Sequence, residues 1–347
     1  MTPSLRRASG LSLADRLFST GDDRRTARVI EESIDALEVR LAEETRFTGG
    51  LVDVVARYLL EAGGKRVRPV LAFLTAQLGD GITDEVITAA TSIELTHLAS
   101  LYHDDVMDDA DQRRGVPSAQ YVWGNSVAIL TGDLLFARAS ALLAILGERA
   151  IRLQADTFER LCLGQLNETI GPSPDEDPVA HYLHVLADKT GSLISASAQL
   201  GVIFSGADPA YEQPVREFGE KVGIAFQLVD DVIDIAPSAE QSGKTPGTDI
   251  RAGVATLPVL YLRGEALSDP AAAVLLARLD PAALTAASDE ESDESIRLLR
   301  EHPVTRRTID EARRYAHEAI AALAPLPEGT VKKTLVRFAE TVVERTN

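Results

Sequence analysis

The 347-residue chain has one cysteine, Cys162, which excludes a disulfide within the chain and a cysteine-based zinc cluster. Aromatic residues are only 5% of it, which leaves β-propensity weak. Positive charge is scarce: 35 Lys and Arg against 53 Asp and Glu give a net charge of −18. That balance argues against nonspecific nucleic-acid binding, which needs basic surface to neutralise phosphate, but leaves room for a small basic pocket. The longest uncharged stretches, 115–132 and 190–207, are broken by Gly, Ser and other polar residues. Neither offers the roughly 20 mostly apolar residues of a membrane span. Residues 1–23 carry Arg6, Arg7, Asp15 and Arg16 and no apolar core of a signal peptide, so a cytoplasmic protein is expected. What the chain has in quantity is 48 Ala and 43 Leu, a strongly helix-forming composition in a chain long enough to bury a large core.

The pattern predicts an all-α protein: an N-terminal arm over 1–23 and a single domain over 24–347. Ile30, Ile34, Leu37 and Leu41 recur at helical spacing. A second helix is expected near 52–61, and another from Pro69 through Leu78. Thr83-Asp84-Glu85 reads as a cap and acidic first turn of a long helix reaching about Asp109. Further helices are expected at 118–147, 151–169, 179–204, 211–235, 254–263, 269–279, 292–301, 303–323 and 328–345. Loops are expected at 171–178 and 236–253, both rich in Gly and Pro. No sustained strand alternation and no solenoid repeat is present.

Two acidic clusters carry the chemistry. Asp104-Asp105-Val106-Met107-Asp108 and Asp230-Asp231-Val232-Ile233-Asp234 share one spacing and lie 126 residues apart, each following an apolar helical run. On a helix, i and i+4 share a face, so Asp104 pairs with Asp108 and Asp230 with Asp234. Carboxylates this close repel unless a cation joins them, and hard oxygen donors suit Mg²⁺. One such cluster alone reads as a solvated helix end; two copies point to metal chemistry. Cationic residues flank them. Gly63-Gly64-Lys65-Arg66-Val67-Arg68-Pro69 is a compact basic turn in which Lys65 and Arg68 are candidates to grip a diphosphate. Arg113 and Arg114 follow the first cluster, Lys189-Thr190 and Lys244 are weaker candidates, and Gln227 precedes the second cluster. His97 lies two helical turns before Asp104 on the same face. Gly243-Lys244-Thr245 imitates the end of a P-loop, but Ser238 stands where the first glycine belongs and no strand precedes it.

Taken together, these motifs resemble the trans-isoprenyl diphosphate synthases, or polyprenyl synthetases. The resemblance runs through residues 63–69, His97, 104–108 with Arg113-Arg114-Gly115, Gly132-Asp133, Lys189-Thr190-Gly191, Phe226-Gln227 with 230–234, Gly243-Lys244 and Thr256-Leu257-Pro258. It implies an all-α isoprenoid-synthase bundle around a deep central cavity, usually a homodimer, with about three Mg²⁺ ions per site. It implies Asp104, Asp108 and Asp230 as principal ligands, with Asp105, Asp231 and Asp234 supporting them directly or through water. Lys65, Arg68, His97 and Arg114 match the family's isopentenyl diphosphate contacts. Arg113, Lys189, Thr190, Gln227 and Lys244 match its allylic diphosphate contacts. The chain departs from the family's pattern at Gly253-Val254-Ala255-Thr256-Leu257-Pro258, where Val254 replaces a common lysine and one allylic-phosphate cation is missing or supplied elsewhere, as by Arg251.

The resemblance also implies that product length is set along the helix carrying the first motif. Ser100 and Ala99, four and five residues before Asp104, are small where shorter-product members have bulky aromatics, so the tail is expected to pass toward Thr96 and Ile93. The expectation is a long-chain all-trans product beyond geranylgeranyl, with isopentenyl and allylic diphosphates as substrates and transient membrane contact on product release. The alternatives are a short-chain farnesyl or geranylgeranyl synthase, a class I terpene cyclase, which has no need for a second diphosphate site, and a subunit of a heteromeric synthase.

Overall fold

A computed structural model describes residues 24–47, 49–236 and 246–344. They run as α1 (Arg24–Glu44), α2 (Leu51–Glu61), α3 (Val67–Ala76), α4 (Asp84–Met107), β1 (Gln112–Arg113), β2 (Val116–Pro117), α5 (Ala119–Trp123), α6 (Asn125–Leu146), α7 (Glu148–Ile170) and α8 (Pro178–Leu186). A π-helical turn, Ala187–Gly191, leads into α9 (Ser192–Phe204), and a 3₁₀ turn, Pro209–Tyr211, leads into α10 (Glu212–Asp234). The chain closes with α11 (Thr248–Arg251), α12 (Leu257–Glu265), α13 (Pro270–Arg278), α14 (Pro281–Ala286), α15 (Asp289–Glu301), α16 (Pro303–Ala322) and α17 (Thr330–Glu344). The all-α expectation holds: among the described residues the one hairpin, β1–β2, has four residues in its strands.

The chain divides into two compact units, one of residues 1–159, 193–219 and 323–337, the other of 160–192, 220–322 and 338–347. In the first unit, α4 buries residues on every side, which marks a central helix. Burial of Leu95 and Leu98 contributes about 1.5–3 kcal/mol each. Its start is the expected one: Thr83 Oγ1 accepts the Val86 N–H at 3.2 Å. Ser92 Oγ donates to the Ala139 carbonyl of α6 at 2.8 Å, and Thr75 Oγ1 of α3 donates to the Ala198 carbonyl of α9 at 2.9 Å. A Cβ on Gly132 would lie 2.4 Å from the His103 ring, so this glycine lets α6 lie against the end of α4 that carries the first motif. In the second unit, Asp177 caps α8 by accepting the Val179 and Ala180 N–H groups at 2.8 and 3.3 Å. Ser288 and Glu291 form a capping box at the acidic start of α15.

Several expectations need correction. The helix expected from Pro69 begins at Val67, because proline is tolerated in a first turn whose N–H groups have no partner. The helix expected over 118–147 is two, parted at Gly124 by its φ of +84°. That over 179–204 is interrupted by the π-helical turn. The loop expected over 236–253 contains α11, and α14 was not anticipated. The hairpin arises because Arg114 and Gly115 both have positive φ, +54° and +76°, as a tight two-residue turn requires. The 1–23 arm and Lys244 lie outside the described residues.

The absence of a membrane-length helix also needs qualification. α6 is long and apolar enough to span one by length and composition, because its boundaries exclude the Gly- and Ser-rich stretch before it. It carries Asp133, whose Oδ1 lies 3.2 Å from His103 Nε2, and Arg138, which ion-pairs with Glu44 at 3.1 Å.

Candidate active site

The first motif ends α4. Asp104 is half-buried and Asp108, one turn on, is exposed, so the pair lies on a solvent-reaching face. Asp105 points the other way and is fully buried. Its Oδ1 accepts Arg113 Nε at 2.6 Å, while Oδ2 is buried without a hydrogen-bond partner. Burial pushes the Asp105 carboxyl above its ordinary range and the Arg113 guanidinium pulls it back. Asp109, just beyond, has a φ of +49°, an αL geometry uncommon for a residue with a side chain.

The basic turn before α3 and the β1–β2 turn supply cations in the same unit. Arg66 has a φ of +49° and is locked by two carboxylates: Glu38 at 2.6 Å and Glu94 at 3.0 Å. The Arg66 and Glu94 side chains are 6% and 2% exposed. Arg114 Nη1 donates to the Leu59 carbonyl at 2.8 Å and to the Gly63 carbonyl. Arg68 Nε is buried with no hydrogen-bond partner, an uncommon state for a guanidinium and one that an incoming oxyanion would relieve. Burial pushes Arg68 down to about 10, with Glu94 opposing and Arg114 adding to the fall. Burial first, then Arg68, Arg114, Arg66 and Arg113, hold His97 well below its ordinary range and therefore neutral at pH 7. A neutral imidazole can donate from one nitrogen and accept at the other. Lys65 is exposed at the rim of the turn.

The second motif ends α10 in the second unit. Here too the i and i+4 carboxylates, Asp230 and Asp234, are half-buried, and the residue after the first, Asp231, is buried. Asp231 Oδ2 accepts two hydrogen bonds, from the Tyr182 hydroxyl at 2.7 Å and the Leu257 N–H at 3.2 Å. Burial pushes Asp231 up to about 7, against the pull of those two donors. Asp234 Oδ2 accepts the Asp249 N–H at 3.2 Å. In the same unit Lys189 and Thr190 sit on the π-helical turn, a feature that recurs at functional sites. Thr190 Oγ1 donates to Gln227 Oε1 at 3.4 Å, and Lys189 reaches Glu168 at 2.5 Å. A Cβ on Gly164 would lie 2.8 Å from the Lys189 nitrogen, so α7 passes close beneath the turn. Arg160 clasps Asp188 and Glu220, each at 2.7 Å, and so braces the turn from below.

The structure thus gathers Arg68 and Arg114 near Glu94 and His97 among the arginines, joins Asp105 to Arg113, and joins Thr190 to Gln227. Of the expected chain-length residues, Ala99 and Thr96 are buried and Ser100 is half-buried, its Oγ donating to the His97 carbonyl at 2.9 Å. Sequence reading missed Glu38, Glu94, Arg160, Glu168 and Tyr182. Glu94 had a signal, as the one Asp, Glu, Lys or Arg between Val86 and Tyr102 of the helix; the others meet their partners only through the fold.

The donor chemistry fits a hard divalent cation. Among the described residues no three His, Cys, Asp or Glu groups form a ready-made cage. Mg²⁺ does not demand one, since it takes one or two carboxylates and fills its shell with water and substrate phosphate.

A family model for the polyprenyl synthetases matches residues 50–284. A nonaprenyl diphosphate synthase of Mycobacterium tuberculosis is 44% identical over 338 residues, 97% of this chain and 97% of that one. Among solved structures, a decaprenyl diphosphate synthase from Rhodobacter capsulatus is 31% identical with a TM-score of 0.82, covering 93% of this chain and 99% of that one. A geranylgeranyl pyrophosphate synthase from Corynebacterium glutamicum, complexed with calcium and isoprenyl diphosphate, is 41% identical with a TM-score of 0.81, covering 94% and 98%. An all-α chain with two equivalent aspartate helix ends and a recessed cationic cluster is thereby defined as a prenyltransferase. The chain belongs to the polyprenyl synthetase family.

Proposed function

We propose that the chain condenses isopentenyl diphosphate with an allylic prenyl diphosphate to build a long-chain all-trans polyprenyl diphosphate. The observation that carries this reading is the matched build of the two motifs: in each, the first and third carboxylates reach solvent while the second is buried against a protein donor. The named relatives include nonaprenyl and decaprenyl synthases, which supports the long product.

Asp104, Asp108 and Asp230, with Asp234, are the carboxylates that would hold magnesium, and Asp105 and Asp231 support them from the interior. Bound magnesium supplies charge neutralisation for the departing diphosphate. Arg68, with its open Nε, Lys65, neutral His97 and Arg114 receive the diphosphate of isopentenyl diphosphate. Arg113, Lys189, Thr190, Gln227 and Lys244 receive the allylic diphosphate. The allylic carbon–oxygen bond breaks and its electron pair leaves with diphosphate. The double bond of isopentenyl diphosphate then attacks the allylic carbocation, and the released diphosphate takes the proton whose loss restores a double bond. The path must be dry, or water captures the cation as an alcohol. Along α4 the small Ala99 and Ser100 leave the tail room to pass toward Thr96 and Ile93.

The reading takes residues 24–347 as one catalytic domain of a cytoplasmic enzyme. It pairs two copies through the apolar residues that α6 and the start of α7 expose, among them Leu130, Ile145 and Ile151. Purified protein given Mg²⁺, labelled isopentenyl diphosphate and farnesyl or geranylgeranyl diphosphate should yield labelled products longer than geranylgeranyl. Products no longer than geranylgeranyl would favour the short-chain alternative, and no elongation would refute the reading.

A further inference from the structure

Asp230, Asp231 and Asp234 occupy the last turns of α10, where a helix frays unless something holds it. Successive residues project about 100° apart around a helix. Fixing the side chain of Asp231 therefore fixes the roll of the face that bears Asp230 and Asp234. The two donors on Asp231 come from separate elements: the Tyr182 hydroxyl from α8 and the Leu257 N–H from the first turn of α12. Both bind the same oxygen, Oδ2, at 2.7 and 3.2 Å. Asp231 is 2% exposed, so water does not compete for that oxygen. Tyr182 is the only side chain of the pair, since the other donor is backbone and persists under any substitution at 257 except proline.

We propose that Tyr182 is a positioning residue for the second aspartate motif: its hydrogen bond to Asp231 sets the orientation in which Asp230 and Asp234 meet the metal-bound allylic diphosphate. The inference rests on the prenyl-transfer reading and assigns Asp231 an anchoring role through one oxygen. It makes a sharp distinction between charge and geometry. Asp231→Asn keeps a carbonyl oxygen able to accept from both Tyr182 and Leu257 but removes the negative charge. A metal ligand would not survive that change, whereas an anchor would.

The test compares wild type, Tyr182→Phe, Asp231→Asn and Asp231→Leu. Folding is checked by circular dichroism. Affinity is read by isothermal titration calorimetry with Mg²⁺ and a non-reactive allylic thiolodiphosphate, and steady-state kinetics are measured on each substrate separately. Tyr182→Phe should weaken Mg²⁺-dependent analogue binding about 10-fold, the usual scale for losing an outer-shell partner. It should raise the allylic KM while leaving the isopentenyl diphosphate KM unchanged. Asp231→Asn, which keeps an oxygen for both donors, should retain more analogue binding than Asp231→Leu, and Asp231→Leu should bind at least as poorly as Tyr182→Phe. Wild-type binding by folded Tyr182→Phe, equal weakening toward both substrates, or loss of binding in Asp231→Asn would overturn the anchoring role. An enzyme whose wild type does not elongate at all would instead sink the functional reading beneath it.

Discussion

Glu94→Gln probes the cationic cluster most directly. Glu94 and Arg66 are 2% and 6% exposed and lie 3.0 Å apart, so the substitution removes a charge from a buried pair. Breaking such a pair from one side costs about 3–5 kcal/mol, because the remaining ion is left in a poor solvent. Arg66 keeps Glu38, at 2.6 Å, which places the cost at the lower end, about 3 kcal/mol. Unfolding entropy of about 2.1 cal/mol/K per residue over 347 residues is about 0.7 kcal/mol/K, so the melting temperature should fall by about 4 °C. Glu38 is 29% exposed, and Glu38→Gln should cost about 1 kcal/mol or less, a fall of about 1 °C. Differential scanning calorimetry at neutral pH compares the two. If Glu94→Gln melts with wild type, or Glu38→Gln falls as far, Glu94 does not compensate buried guanidinium charge and the account of the cluster is wrong.

Asp104→Ala should cut turnover by at least about 10³-fold with the fold intact, measured by product formation at saturating substrate, since metal-assisted ionisation supplies much of the barrier reduction. Ala99→Tyr and Ser100→Phe should each shift products to shorter chains on reversed-phase chromatography; unchanged lengths would show that this stretch of α4 does not set the floor. His97 is held below its ordinary 6.5, so the folded state binds fewer protons than the unfolded one, and the stability present above pH 6.5 is lost as pH falls through that value toward the folded pKa. His97→Gln cannot titrate and should therefore lose less melting temperature than wild type between about pH 7.5 and about pH 5.5, and equal losses would mean that His97 is protonated in the folded protein.

The elements were largely legible because local chemistry decides them. Thr83 with Asp84 and Glu85 announces α4, and its hydroxyl makes the expected cap. Pauses inside helices were not legible: the π-helical turn at Ala187–Gly191 lies against α7 at Gly164, a contact no local pattern encodes. Gly124, by contrast, left a mark in the sequence, and its positive φ explains why one helix became two.

Of the site, the sequence alone determined the residue types and their spacing: two acidic motifs of one period, a basic turn, and an arginine pair. The four-residue step put Asp104 with Asp108 and Asp230 with Asp234 on shared faces, because helical periodicity is a property of the backbone. Only the tertiary structure decided which carboxylates turn inward. Asp105 is drawn to Arg113 and Asp231 to Tyr182, partners 8 and 49 residues away, because a buried charge must find a donor and the packing of other elements chooses it.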